Sequence, residues 1–433
     1  MVTRRVDLWF MINLMLSKKD YWVKSNCVLC SSTELDTLLD LGETPLANEL
    51  NRIENRNITQ KKYPLILGIC RICKHIQLLS MVNPKLFFTK YPYLSNINKT
   101  SALRYQILSK NLNKRYRNLS SNFILEIGSN DGSLGLEFRD LGWNFLGVDP
   151  SITAYKIATQ SGVETICDYF SHKLALNILN QYGIPNLIVA NNVLAHSDSL
   201  QDIFRGIRLL MNKETVLIIE FSYGFNVFNN FLFDTIYHEH TSYHTIFSLI
   251  PFLEKNEMKI VLAEPFDAHG GSLRLHIMLN VGHTDSNVKV NSLLQIEINS
   301  GINELSTWKK YFERITNSGS ELQQLLQQIK EQDFQIVGYG CPAKFSTLFH
   351  FYKLDESLFS FIVDDNIQKQ GCYAPGTKIR IKSPEVLIKD SVDFIVIFSW
   401  NYAKEIKEKL ISSKSVKLGF IQPLPELMID YVN

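Results

Sequence analysis

Through the middle of the chain, short runs of consecutive apolar residues alternate with stretches in which apolar positions recur every three or four residues. Apolar runs at 123–127, 144–149, 164–166, 185–190 and 214–220 predict five strands, and the spacing at 100–117 and 153–161 predicts helices. Strands alternating with helices make a doubly wound, mostly parallel sheet. A late strand is predicted at 273–279, beyond the alternation. The pattern then repeats: 293–329 reads mostly helical, and apolar runs at 334–338, 359–365 and 392–398 predict a second, Rossmann-like unit. The fold expected is α/β, with boundaries at 1–24 for an N-terminal extension, 25–80 for a small first domain, 81–282 for the central domain and 283–433 for the last.

The first predicted strand runs into Glu126-Ile-Gly128-Ser129-Asn130-Asp131-Gly132. Open α/β sheets bind ligands outside the carboxyl ends of their strands. Gly128 and Gly132 remove the Cβ that would keep a ligand from the backbone. The carboxylates of Glu126 and Asp131 suit a cationic, hydroxyl-rich ligand better than a pyrophosphate, which favours bare amides. An ammonium and a sulfonium are both present in S-adenosylmethionine, the cofactor this turn suggests. Asp149 ends the next strand, where nucleoside-binding sheets hold ribose hydroxyls. Asp168, beside Tyr169 and Phe170, is placed to accept from an adenine amine; a solvated loop acid is the plainer reading. Asn191, Asn192 and His196 follow the fourth strand and point polar groups to the same edge.

Composition narrows the class. The 433 residues carry 45 basic and 43 acidic side chains, a balance without the basic footprint of a nucleic-acid binder. No apolar run approaches the roughly 18–20 residues of a membrane span. The apolar stretch after Arg5 is broken by Asn13 and ends in Lys18 and Lys19, without a cleavage site, so a cytoplasmic location is expected. Of 7 cysteines, four form two pairs, Cys27-Val-Leu-Cys30 and Cys70-Arg-Ile-Cys73. Two such knuckles supply four thiolates for tetrahedral Zn²⁺, which a domain this small needs for stability. Between them, residues 40–48 read as a polar, turn-rich loop.

Tyr237-His238-Glu239-His240-Thr-Ser-Tyr-His244 packs three histidines into eight residues. A His-Glu-x-x-His zinc motif is not satisfied, because Ser242 stands where the second histidine belongs. Acid–base work by a histidine beside a carboxylate and a phenol is the better reading. In the last unit, Gly338-Tyr-Gly340-Cys-Pro-Ala343 approximates a dinucleotide loop, though Pro342 and Lys344 speak against one.

Taken together, Glu126–Gly132, Asn191–His196, Tyr237–His240, the run from His269 to Arg274 and the cysteine pairs resemble the C-methyltransferases of deoxysugar biosynthesis. Those enzymes methylate carbon 3 of nucleotide-linked 4-keto-6-deoxysugars with S-adenosylmethionine. The resemblance implies a zinc-binding domain, a class I methyltransferase domain and a Rossmann-like C-terminal domain that helps enclose the substrate. It makes His240 the leading general base, with Tyr237, Glu239, His196 and Tyr91 around the sugar, and gives Cys27, Cys30, Cys70 and Cys73 to zinc. His269 and Lys344 become substrate contacts, Lys344 toward a nucleotide diphosphate. Which donor holds the enolate oxygen stays open, as does the oligomeric state. An NAD-linked oxidoreductase using the last unit and a zinc-ribbon nucleic-acid adaptor are the readings to exclude.

Overall fold

A computed structural model describes residues 20–52, 59–83, 86, 99–268, 270–281, 288–389, 391–413 and 418–432. The first region pairs β1 (Tyr21–Val23) with β5 (Ser80–Val82) and builds a sheet from β2 (Leu35–Pro45), β3 (Lys62–Cys70) and β4 (Ile76–Leu78). Residues 40–45, expected as loop, belong to β2, whose register against β3 shifts between Thr37 and Leu39 and again between Asp40 and Glu43. The outer strand of this sheet comes from far along the chain: Ser242–Tyr243, β11 in chain order, pairs antiparallel with β4. The first region is therefore completed by the histidine-rich segment, which the sequence boundaries assign to the central domain.

The central sheet has seven strands: the five of the predicted alternation, the predicted late strand, and one more. In chain order they are β6 (Phe123–Ile127), β7 (Asn144–Val148), β8 (Thr165–Ile166), β9 (Leu187–Asn191), β10 (Val216–Ser222), β12 (Met258–Phe266) and β13 (Ser272–Leu279). They lie in the order β12-β13-β10-β9-β6-β7-β8, with β13 antiparallel to both neighbours and the others from β10 to β8 parallel. That reversal brings in β12, whose mixed pattern of buried and exposed positions gave no clear apolar run. Burial on both faces explains the continuous apolar runs of β6, β9 and β10. Ser151 and Ser171 cap the helices Ile152–Gln160 and His172–Tyr182 by accepting from Ala154 and Leu174 amides. Thr245 caps Ile246–Lys255 in the same way.

The last sheet runs β16-β15-β14-β17-β18-β19, parallel but for its edge strand β19 (Met428–Val432). Its members are β14 (Ile336–Tyr339), β15 (Phe359–Val363), β16 (Ile381–Lys382), β17 (Phe394–Ile397) and β18 (Leu418–Gln422). The predicted helical stretch before it is two helices, Val288–Ser300 and Leu305–Lys330.

The cores cross these regions. Leu39, Leu65 and Ile76 of the first sheet share a buried cluster with Phe345, Leu348 and Ile362 of the last. Cys27, Val28 and Leu29 instead sit in the cluster of Ile188, Leu217 and Phe252 under the central sheet. A region too small to bury its own core is thus wedged between the two larger ones. No helix among the described residues is long and apolar enough to cross a membrane.

Candidate active site

The site grows from the turn after β6. Gly128 (φ 72°), Asn130 (φ 49°) and Gly132 (φ 78°) all adopt left-handed backbone, which folds the chain back sharply before the helix Ser133–Asp140. At Gly128 a Cβ would stand 2.3 Å from Val193 Cγ2, so the turn and the loop after β9 touch only because the residue is glycine. Asp149 at the end of β7 accepts from the Asn130 amide at 2.9 Å and the Ser151 amide at 2.8 Å. Asp131 accepts from its near neighbour, the Ser133 hydroxyl, at 2.6 Å.

Deeper in, Glu126 and Asn191 approach to 3.5 Å. Glu126 Oε2, Asn191 Oδ1 and the Ser129 hydroxyl are buried and take no hydrogen bond within the protein. Burial, with Asp149 adding repulsion, pushes the Glu126 carboxyl well above its ordinary value; burial also raises Asp149. Buried polar atoms are nearly always partnered. A cradle of orphaned acceptors and crowded acids is short of one thing, a cationic donor, and an ammonium fits it. Asn192, at φ 54°, bonds its amide to the Glu220 carbonyl and turns the chain toward His196. Asp168 lies in the turn that follows β8. It is exposed and accepts from its neighbour Tyr169, while Phe170 is buried in the central core.

The structure separates the three histidines of the 237–244 segment. His238 faces the Pro64 carbonyl at 3.1 Å, and His244 stacks on His75 with ring centroids 5.4 Å apart; both are buried. Burial pushes His238 and His244 down to about 4. His240 alone of the three meets His196, edge to face at 5.0 Å.

Hydrogen bonds fix the tautomers there. A carbonyl only accepts, so His240 Nδ1 must donate to the Thr235 carbonyl (2.8 Å), which in the neutral ring leaves the lone pair on Nε2. Tyr237 O–H lies 2.8 Å from that Nε2 and donates to it. His196 Nδ1 likewise donates to the Glu239 carbonyl at 2.8 Å, and burial lowers its pKa to about 4, so it is neutral at pH 7. Glu239 is buried and accepts from Asn48 of the first region at 3.0 Å. Sequence reading missed that contact, since 191 residues separate the pair.

Lys344 lies just before the helix Phe345–Phe351. Its ammonium sits 3.5 Å over the Trp400 ring and donates to Asn401 at 2.7 Å, facing Asp234. Burial lowers it to about 8. Tyr91 and His269 lie outside the described residues.

The cysteine pairs form one cluster. All four Sγ atoms lie within 4.8 Å of one another, with Cys27–Cys73 and Cys30–Cys70 at 3.5 Å. Zinc–sulfur bonds of about 2.3 Å in a tetrahedron require sulfur–sulfur edges of roughly 3.8 Å, so the donor set fits Zn²⁺. Both knuckles close the same way: Ser31 and Lys74 each follow the second cysteine at positive φ and bond back to the first cysteine's carbonyl at 3.0 Å. Among the described residues no other group of three or more metal-ligating side chains gathers.

Comparison with known proteins finds three consecutive family matches, the last of which begins ahead of β13. Residues 27–88 match the family described as "Putative zinc binding domain", 101–262 the family "Methyltransferase domain" and 267–425 the family "C-methyltransferase C-terminal domain". C-methyltransferase NovU of Streptomyces niveus is 28% identical over 400 residues, covering 92% of this chain and 95% of that protein. Similar solved structures include magnesium protoporphyrin IX methyltransferase of Synechocystis PCC 6803 with bound S-adenosylmethionine, at 16% identity and TM-score 0.31 over 42% of this chain and 84% of that one. The glycopeptide N-methyltransferase MtfA, complexed with S-adenosyl-L-methionine, matches at 8% identity and TM-score 0.33 over 44% of this chain and 98% of its own.

Proposed function

We propose that this chain, an S-adenosylmethionine-dependent C-methyltransferase, acts on carbon 3 of a nucleotide-linked 4-keto-6-deoxysugar through a base-generated enolate. The observation that carries the reading is the His240–Tyr237 pair, a phenol oxygen 2.8 Å from imidazole Nε2. Glu126, Gly128, Ser129, Asn130, Asp131 and Gly132, with Asn191, would hold the cofactor's amino-acid end, and Asp149, with Asn192 and Asp168, its nucleoside side. Bound there, the cofactor supplies an electrophilic methyl group.

His240 Nε2 takes the proton from carbon 3, whose acidity comes from the adjacent ketone. The negative charge then spreads to the ketone oxygen. His196 and His240 both spend their Nδ1–H on carbonyls, so neither neutral ring can donate to that oxygen. Tyr237 has a proton to give, and turning its O–H from His240 to the substrate oxygen would expose the base and support the enolate in one movement. A single oxyanion donor is typically worth about 10²- to 10³-fold. Glu239, held by Asn48, keeps His196 in place through its carbonyl. The resemblance gives Tyr91 and His269 to the sugar and Lys344 the role of neutralising a diphosphate. Zn²⁺ on Cys27, Cys30, Cys70 and Cys73 is structural, because four thiolates leave no open position. A cytoplasmic location would suit the reduced thiols this site needs.

Incubation with labelled S-adenosylmethionine and a panel of nucleotide 4-keto-6-deoxysugars tests the reading by product mass. One added methylene mass on carbon supports it. Cofactor binding with transfer only to a different carbonyl compound would overturn the sugar assignment.

A further inference from the structure

The short turn before the catalytic segment is gripped from the last domain at two points. Trp400 Nε1 donates to Asp234 Oδ2 at 2.6 Å, and Thr347 Oγ1 donates to the Ile236 carbonyl at 2.6 Å. Between those two residues stands Thr235, whose carbonyl receives His240 Nδ1–H. Asp234 and Thr347 are both fully buried. Phe233 adds ring contacts to Phe351 and Tyr352 at 5.1 and 5.0 Å. Gly270, at φ 86°, lets the neighbouring turn close on Trp400: a Cβ there would meet Leu232 at 2.6 Å and the indole at 3.2 Å.

We infer that Trp400 and Thr347 are positioning residues for the base, holding the Thr235 carbonyl where it fixes His240 as the Nδ1–H tautomer. The inference rests on the assignment of His240 above. Neither residue reaches the reacting atoms; each acts through the backbone of residues 234–236. A base is useful only if its lone pair is on the nitrogen that faces the substrate, and which nitrogen that is depends on the bond made by the other. Displacement of a reacting group by about 1 Å can cost 10²-fold in rate. On this view the last domain contributes to the chemical step as well as to enclosing the substrate.

Trp400→Phe keeps the ring and removes the donor; Thr347→Val keeps the shape and removes the hydroxyl. For each, the expected result is a kcat lower by about 10- to 100-fold, with acceptor KM and cofactor affinity within about twofold of wild type. Thr347→Ser, which restores the hydroxyl, should recover most of the rate, a rescue that a merely structural role would not give. Wild-type kcat in both Thr347→Val and Trp400→Phe would overturn the inference, as would a rise in KM alone. A His240→Ala enzyme that still exchanges the carbon 3 proton would instead remove the premise, so the two failures are distinguishable.

Discussion

The central and last sheets end equivalent strands in nearly the same way and then diverge. In each, a first strand runs into a left-handed glycine, Gly128 or Gly340, and the next strand ends in an aspartate that accepts a turn amide. Asp149 takes the Asn130 amide at 2.9 Å, and Asp364 takes the Cys341 amide at 2.8 Å. In the last sheet the charge is then answered from within. Lys369 reaches Asp364 at 3.3 Å, and Lys409 and Tyr339 both bond Asp365. Among the described residues no lysine or arginine pairs with Glu126 or Asp149. The same topology therefore makes a closed structural turn in one sheet and an open, acid-rich cradle in the other.

The largest expected effect concerns the wedge between them. Structural zinc sites commonly supply on the order of 10 kcal/mol of folding free energy. Because Cys27, Val28 and Leu29 share the central core, chelation or Cys27→Ser should unfold the central domain early, well ahead of the last one. A calorimetric trace unchanged by chelator would contradict this. Next comes the aspartate pair. Asp149→Ala should weaken S-adenosylmethionine binding by about 10- to 100-fold, the worth of charge-assisted hydrogen bonds. Asp364→Ala should lower stability by roughly 1–3 kcal/mol with cofactor affinity unchanged. Titration calorimetry on both variants decides it; equal losses of affinity would erase the distinction between the sheets.

The smallest effect is on acid stability. His238 and His244 titrate near 4 when folded, whereas an exposed imidazole titrates near 6.5. Between those values the unfolded chain binds more protons than the folded one, so stability falls as pH drops from about 6.5 toward 4. These two rings alone should take up as many as two protons on unfolding in that window, and His196, also lowered to about 4, adds a third. Urea midpoints that stay level from pH 7 to pH 5 would be inconsistent with two buried neutral rings.

What the sequence disclosed was local. The Glu126–Gly132 turn, the alternation of strands and helices, and each cysteine knuckle are written in residues a few positions apart, where apolar runs and glycines act directly on the backbone. What it hid was long-range. Nothing near residue 242 announces a strand that pairs with Gln77, nor does the polar stretch 40–45 announce β2. The choice among His238, His240 and His244 depends on what each ring meets, and those partners, Pro64, His196 and His75, come from elsewhere in the chain. Trp400 and Thr347 carry no motif at all.

The most direct measurement is hydrogen–deuterium exchange at carbon 3 of the acceptor sugar in D2O, wild type against His240→Ala. The account predicts that the variant loses exchange and methyl transfer together. Exchange that persists while transfer is lost would contradict it and move the base elsewhere, with His196 the next residue to test.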